Sequence, residues 1–412
     1  MFNDAKFGMF IHWGPYSVAS VEASWPIMVP GNWGISEADY RALPQRFNPT
    51  QFDAAAFVRL AKAAGQKYIV ITTKHHDGFS MFDTQYSNYK ITKTRYGKDI
   101  VAQLVAAAKA ERMPLGFYYS PPDMNHPAFR DTSKLSAANW HGEPARPEWP
   151  LYLDYMELQL RELLTRYGDA FVIWFDGLDN EEKYAGARFH ELIHNLQPMT
   201  LINNRIGLTG DFVTPEQRLP NGIPRKGATV GNVDPNDTGV LTAPPAPEEF
   251  QPWETCMTIN DTWAYNKNDR KFKSSTELVR ALIDAASKGG NFLLNVGPGP
   301  DGTIQPEFVE RLTAVGEWLK VHGEAIYGTT YGPLQSLPFG RMTAKGKRLY
   351  LHIFDMPAAG LELSGLKARV ASIKTLDGGA AVKFTQTGDK LQIAAGGIKL
   401  NSHATVLAIT TR

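Results

Sequence analysis

Phe171-Val172-Ile173-Trp174-Phe175-Asp176-Gly177 is a run of apolar and aromatic residues leading straight into a carboxylate and a glycine. A short apolar run bounded by a turn signal reads as a strand buried on both faces of a parallel sheet, and this one delivers an acid to the rim. Two further runs end in the same way. Tyr68-Ile69-Val70-Ile71-Thr72-Thr73 leads into Lys74-His75-His76-Asp77-Gly78-Phe79, and Leu115-Gly116-Phe117-Tyr118-Tyr119 leads into Ser120-Pro121-Pro122-Asp123. One Asp-Gly end is ordinary turn chemistry. Several polar strand ends converging on one rim describe the catalytic face of a barrel.

Outward from these three, further strand candidates fall at 7–11, 200–203, 255–259 and 291–296. Amphipathic stretches at 52–64, 100–112 and 152–167 carry apolar residues at helical spacing. This alternation predicts a (β/α) barrel with seven legible strands, so the barrel is irregular or one strand is hidden. From Gln335 the texture changes to short alternating segments at 348–354, 370–373, 381–384 and 405–409, separated by Gly, Asp and Asn. That pattern predicts a small antiparallel β domain. The expected organisation is a catalytic barrel over 1–334 and a β domain over 335–412, with the Pro- and Ala-rich stretch 238–252 as a long rim loop.

A chain of 412 residues buries a large core with ease. Lys plus Arg number 43 and Asp plus Glu 42, which leaves no field of the kind that nucleic-acid or anionic-membrane binding needs. A neutral small molecule or sugar fits that balance, and nothing in the sequence excludes a homo-oligomer. The single cysteine, Cys256, excludes an internal disulfide and any cysteine cluster for a metal. No apolar run approaches the roughly 20 residues of a membrane span. The chain does not open with a basic-then-apolar leader, which fits a cytoplasmic protein or an exported one whose leader has been removed.

The residues expected at the rim are His12, His75, His76, Tyr118, Trp174, Asp176, Arg205, Glu216, Trp253, Glu254 and Trp263. Aromatics interleaved with histidines, an arginine and carboxylates make a pocket that stacks on a sugar ring and hydrogen-bonds its hydroxyls. A metal is the competing reading of His75-His76. Adjacent residues at a strand end point in opposite directions, and no His-x-x-x-His or Cys group completes a closed site, so no metal or other cofactor is expected.

Lys6-Phe7-Gly8-Met9-Phe10-Ile11-His12-Trp13-Gly14, Lys74-His75-His76-Asp77-Gly78-Phe79, Phe117-Tyr118-Tyr119-Ser120, Trp174-Phe175-Asp176-Gly177, Trp253-Glu254-Thr255-Cys256-Met257-Thr258-Ile259 and the run Ser287 to Pro298 resemble the α-L-fucosidases of glycoside hydrolase family 29. The resemblance extends from the N-terminus to about Tyr327. It implies an irregular (β/α)8-like barrel followed by a C-terminal antiparallel β-sandwich. It also implies a retaining exo-α-L-fucosidase that takes terminal α-L-fucose from fucosylated glycans through a covalent fucosyl-enzyme. Retention needs a nucleophile and an acid/base about 5–5.5 Å apart. The resemblance makes Asp176 the nucleophile. Glu216 and Glu254 compete for the acid/base, Glu216 being favoured because a loop can present a lateral acid whereas Glu254 sits in a strand-like run. Glu248 and Glu249 are outsiders. His12, His75, His76, Tyr118 and Arg205 match the groups that bind fucose hydroxyls and the ring side of the site, Trp263 matches the aromatic that packs on the C5 methyl, and Trp25 is a weaker sugar-binding assignment. Two departures stand out. Ser24-Trp25-Pro26 replaces the usual Glu-Trp-Tyr, with Glu22 the candidate substitute for the missing glutamate, and Ala264 replaces the usual glycine between Trp263 and Tyr265. Two other classes of function are weighed: a fucose-binding protein that kept the pocket and lost turnover, and a metal-dependent hydrolase using His75 and His76.

Overall fold

Seven parallel strands form one curled sheet: β1 (Phe7–Ile11), β2 (Ile69–Lys74), β3 (Leu115–Tyr119), β4 (Val172–Phe175), β5 (Leu201–Ile202), β6 (Glu254–Thr258) and β7 (Asn291–Val296). They are ordered β5-β4-β3-β2-β1-β7-β6. The computed structural model describes the chain except residues 30, 32, 134–139, 178–180, 227–244, 336 and 359; the expected loop 238–252 lies outside the described residues as far as 244. All seven expected strands are present, each within two residues of its expected limits.

The sheet edges, β5 and β6, do not pair directly. Residues 212–216 run between them through isolated parallel bridges, Asn203 with Phe212, Val213 with Trp253 and Glu216 with Cys256. The backbone bonds follow this path: Asn204 N–H donates to Phe212 at 2.9 Å, Glu254 N–H to Val213 at 2.9 Å and Gln217 N–H to Cys256 at 2.9 Å. The hidden eighth position is this irregular segment. Glu216 therefore stands on the expected loop, with its backbone tied to β6 by a single bridge to Cys256.

Period-2 alternation sorts each strand between two cores. Phe10, Tyr68, Val70, Tyr118, Val172, Trp174, Cys256 and Leu293 pack together inside the barrel. Met9, Ile11, Ile69, Ile71, Phe117, Ile173, Phe175, Phe292 and Leu294 face the outer helices. Those helices begin where capping chemistry allows: Asp53 accepts the Ala56 N–H ahead of Ala54–Ala63, Asp99 accepts that of Ala102 ahead of Ile100–Ala110, and Ser274 and Glu277 form a capping box on Ser275–Ser287. The third expected helix spans Trp149–Arg166.

Beyond the barrel, a five-stranded sheet runs in the order Val370–Thr375, Thr405–Thr411, Arg348–Ile353, Gly340–Lys345, Thr330–Tyr331. A three-stranded sheet orders Leu361–Leu363, Lys390–Ile393 and Phe384–Thr387. Leu351, Ile373 and Leu407 of the first share a core with Leu363, Leu391 and Ile393 of the second, which makes the pair a sandwich. The strand expected at 381–384 starts only at Phe384. No helix among the described residues is long and apolar enough to cross a membrane.

Candidate active site

The strands are parallel, so their C-terminal ends share one rim. A cavity of about 180 Å³ opens there, lined among others by His12, Glu22, Trp25, His75, His76, Trp174, Asp176, Arg205, Glu216, Cys256 and Trp263. Asp176 continues the inward series Val172, Trp174 and stands just past the end of β4. Gly177 follows at φ +89°, and a Cβ there would come within 2.7 Å of Pro122, so this turn requires glycine.

Three groups hold the Asp176 carboxylate. The Arg205 guanidinium donates to one oxygen at 2.6 Å, the Tyr118 hydroxyl donates to the other at 2.9 Å, and His76 Nε2 lies 3.5 Å away. Burial pushes its pKa up, but Arg205 and His76 outweigh that and hold it well below the usual carboxylate range. The second fork of Arg205 donates to Glu216 at 2.7 Å, so one guanidinium bridges both carboxylates. Glu216 is the more open of the two, its side chain 40% exposed against 20% for Asp176.

Glu254 stands elsewhere. It is two residues before Cys256 on the same face of β6, which places it about 7 Å deeper in the barrel. It is absent from the cavity wall and accepts hydrogen bonds from the Tyr68 hydroxyl and from Trp174 Nε1, the latter at 3.1 Å. Burial raises its pKa to about 7. Tyr118 also stands behind the wall, fully buried, its ring stacked on His75 at 5.3 Å and on Trp174 at 5.7 Å. Trp253 is a correction: it lies in the core outside the barrel, with Nε1 donating to the Lys288 carbonyl at 3.1 Å. Glu249 pairs with Arg225, and neither it nor Glu248 lines the cavity.

His75 and His76 both face the cavity, contrary to the expected opposition, because β2 ends at Lys74 and the two rings follow in a turn, 4.3 Å apart. Hydrogen-bond valence fixes what each histidine offers. Asn295 donates through its amide nitrogen to the Trp263 carbonyl at 2.8 Å, so its oxygen accepts from His12 Nδ1 at 2.7 Å and His12 Nε2 is left as an acceptor. Burial, only partly offset by Asn295, lowers the His12 pKa to about 4 and keeps it neutral. Ser24 Oγ accepts the Asp77 N–H at 2.9 Å and gives its own proton to His75 Nδ1 at 2.7 Å, leaving His75 Nε2 as a donor. Ser120 Oγ donates to the Pro122 carbonyl at 2.6 Å and so accepts from His76 Nδ1 at 2.5 Å.

His75, His76 and Asp176 each bring one potential ligand atom within 4.8 Å of the others. Arg205, however, directs its cationic fork at the same Asp176 carboxylate, placing a fixed positive charge where a metal ion would have to sit. The cluster is therefore wired as a hydrogen-bonding wall. Trp263 covers one side of His12 at 4.8 Å, and Glu22 anchors it by accepting the backbone N–H of Trp263 at 3.0 Å and of Ala264 at 3.1 Å. Trp25 stands at the mouth, 39% exposed. The sequence reading missed Phe10, Met28, Trp140 and Cys256 as wall residues. Cys256 was readable from its place two residues beyond Glu254; Trp140 carries no periodic signal in its long loop.

A family model described as alpha-L-fucosidase matches residues 1–324. The plasma alpha-L-fucosidase of Homo sapiens is 32% identical over 348 residues, 80% of this chain and 69% of that protein. Alpha-L-fucosidase isoenzyme 1 from Paenibacillus thiaminolyticus superposes with a TM-score of 0.85 at 34% identity, covering 100% of this chain and 97% of that one. A GH29 alpha-L-fucosidase from Bacteroides thetaiotaomicron, solved as a trapped covalent intermediate with 2-fluoro-fucosyl fluoride, superposes with a TM-score of 0.83 at 27% identity, over 100% of this chain and 95% of that one.

Proposed function

The chain belongs to the α-L-fucosidase family, and from that premise we propose that it hydrolyses terminal α-L-fucosides with retention, through a covalent fucosyl-enzyme on Asp176. The observation that carries the reading is one guanidinium bridging two carboxylates on the cavity wall, one of them held ionised. An ionised Asp176 is ready to attack the anomeric carbon. As it does, the C1–O bond breaks and the departing oxygen takes a proton from Glu216. Water then attacks the fucosyl-enzyme, giving its proton to Glu216 and releasing fucose with the configuration it entered. A pair of that kind stands about 5–5.5 Å apart, a span that suits two carboxylates sharing one arginine.

The sugar is oriented by the acceptor at His12 Nε2, the donor at His75 Nε2 and the indole of Trp263, a pattern that hydrogen-bonds hydroxyls and packs an apolar edge. The test is Asp176→Ala. Turnover of an aryl fucoside should fall by several orders of magnitude while the protein stays folded, and azide should restore cleavage with the inverted glycosyl azide as product. A rate near that of the wild type would overturn the assignment.

A further inference from the structure

The cavity holds little more than one sugar ring, so the rest of any fucosylated glycan must leave through the mouth, where Trp25 stands half-exposed. Trp25 does not end the aromatic surface. The indole of Trp33 stacks 6.1 Å from it with the ring planes 30° apart, and Trp33 is not on the cavity wall. Its orientation is fixed, because Nε1 donates to the Val29 carbonyl at 2.9 Å. Gly31 permits that seat: a Cβ at this position would come within 3.3 Å of the indole nitrogen. Trp33 also lines a second cleft, of about 610 Å³, together with Ile35, Ser36, Asp39 and Arg46.

We propose that Trp25 and Trp33 form a continuous shelf that receives the leaving-group glycan, with one pyranose over Trp25 and the next over Trp33. This subsite rests on the fucosidase reading and adds its specificity. A pyranose presents an apolar C–H face and a polar rim. The two indoles take the faces, and Asp39 and the exposed Arg46 take the hydroxyls, the Ser36 hydroxyl being already paired with Asp39 as a helix cap. The shelf thus favours a neutral oligosaccharide of at least two further rings, because a single-ring aglycone reaches Trp25 and gains nothing from Trp33.

The experiment compares kcat/KM on an aryl fucoside and on a trisaccharide of fucose α-linked to a disaccharide, for the wild type, Trp33→Ala, Trp33→Phe and Arg46→Ala. The ratio of trisaccharide to aryl fucoside should fall about five- to tenfold in Trp33→Ala, the size of one lost stacking contact. It should be largely kept in Trp33→Phe, which retains a ring, and should fall by a smaller factor in Arg46→Ala, whose exposed side chain can be removed without a folding cost. The fucose-free disaccharide should inhibit the wild type more strongly than Trp33→Ala. An unchanged ratio in both alanine variants, with wild-type turnover of both substrates, overturns the shelf alone. A wild type that releases fucose from neither substrate overturns the fucosidase reading, and the shelf with it.

Discussion

Ser24 shows how one atom can set a specificity. Its hydroxyl links the Asp77 backbone to His75 Nδ1 and so fixes the tautomer that points a donor into the cavity. Ser24→Ala should release that tautomer, raising KM for an aryl fucoside by about fivefold, one hydrogen bond's worth, with a much smaller effect on kcat. Nitrogen-15 shifts of His75 should then report a mixture of tautomers; an unchanged His75 signal would refute the coupling. Glu254 is proposed as the opposite case, a carboxylate whose work is structural. Its folded pKa of about 7 lies above the ordinary 4.5, so the native state holds its proton more tightly than the unfolded chain. The resulting stabilisation is complete below about pH 4.5 and is lost as pH rises through 7, a change on the order of 3 kcal/mol. Glu254→Gln mimics the protonated form and should flatten that decline in a melting-temperature series from pH 5 to 8. A slope as steep as that of the wild type would show that the proton resides elsewhere. At this scale the sequence carried residue types and strand positions, and from those alone His12, His75, His76, Trp174, Asp176, Arg205 and Trp263 could be expected at one rim. It could not carry depth: Tyr118, Trp253 and Glu254 were grouped with them although one lies outside the barrel and two stand behind the wall.

Elements were legible where burial imposed a pattern. β1 and β3 have the limits read from their apolar runs, because a strand covered on both faces has no polar position to blur its ends, and β7 keeps its limits although it carries Asn291 and Asn295. Residues 212–216 carried no such signal. The segment Phe-Val-Thr-Pro-Glu includes a proline that has no N–H for a ladder, and it joins its neighbours only at isolated bridges. Yet this segment carries Glu216 into the cavity beside Arg205. A bridge to Cys256 holds the backbone while the side chain stays open to solvent, which suits a group that must trade protons with a leaving group and then with water. Glu216→Ala should therefore lower kcat/KM on a natural glycan by about 10²–10⁴-fold, and much less on an aryl fucoside whose departure needs little protonation. Azide should rescue this variant with retained configuration, the reverse of its product with the Asp176 variant. If that leaving-group dependence appeared in Glu254→Ala and not in Glu216→Ala, the two roles would have to be exchanged.

The whole molecule joins a barrel that holds the chemistry to a sandwich that touches none of it; the expected division at 334/335 falls just after Thr330–Tyr331, a strand that already pairs in the five-stranded sheet. The expected change of texture corresponds to the two C-terminal sheets, but strands as short as Leu361–Leu363 and as polar as Gly340–Lys345 left no pattern to read. The sandwich is fastened to the outer helices, away from the rim. Arg280 donates to the Phe354 carbonyl at 2.6 Å with its guanidinium over the Phe354 ring, Arg341 pairs with Asp284, and His322 meets Asp377 at 3.0 Å. Trp318 is the centre of this seam. It is almost wholly buried on the helix Pro306–His322, stacks on His322 at 4.6 Å and donates Nε1 to the Ala404 carbonyl at 3.1 Å. Truncating a buried tryptophan removes its packing and leaves both a cavity and an unpaired carbonyl, a cost of about 3–5 kcal/mol. Trp318→Ala should therefore lower the melting temperature by several degrees. No residue of the seam lines the catalytic cavity, so kcat/KM measured well below that melting point should stay within about twofold of the wild type. A large loss of activity in a variant still folded at the assay temperature would mean that the sandwich shapes the site from a distance, and the division of labour between the two parts would have to be abandoned.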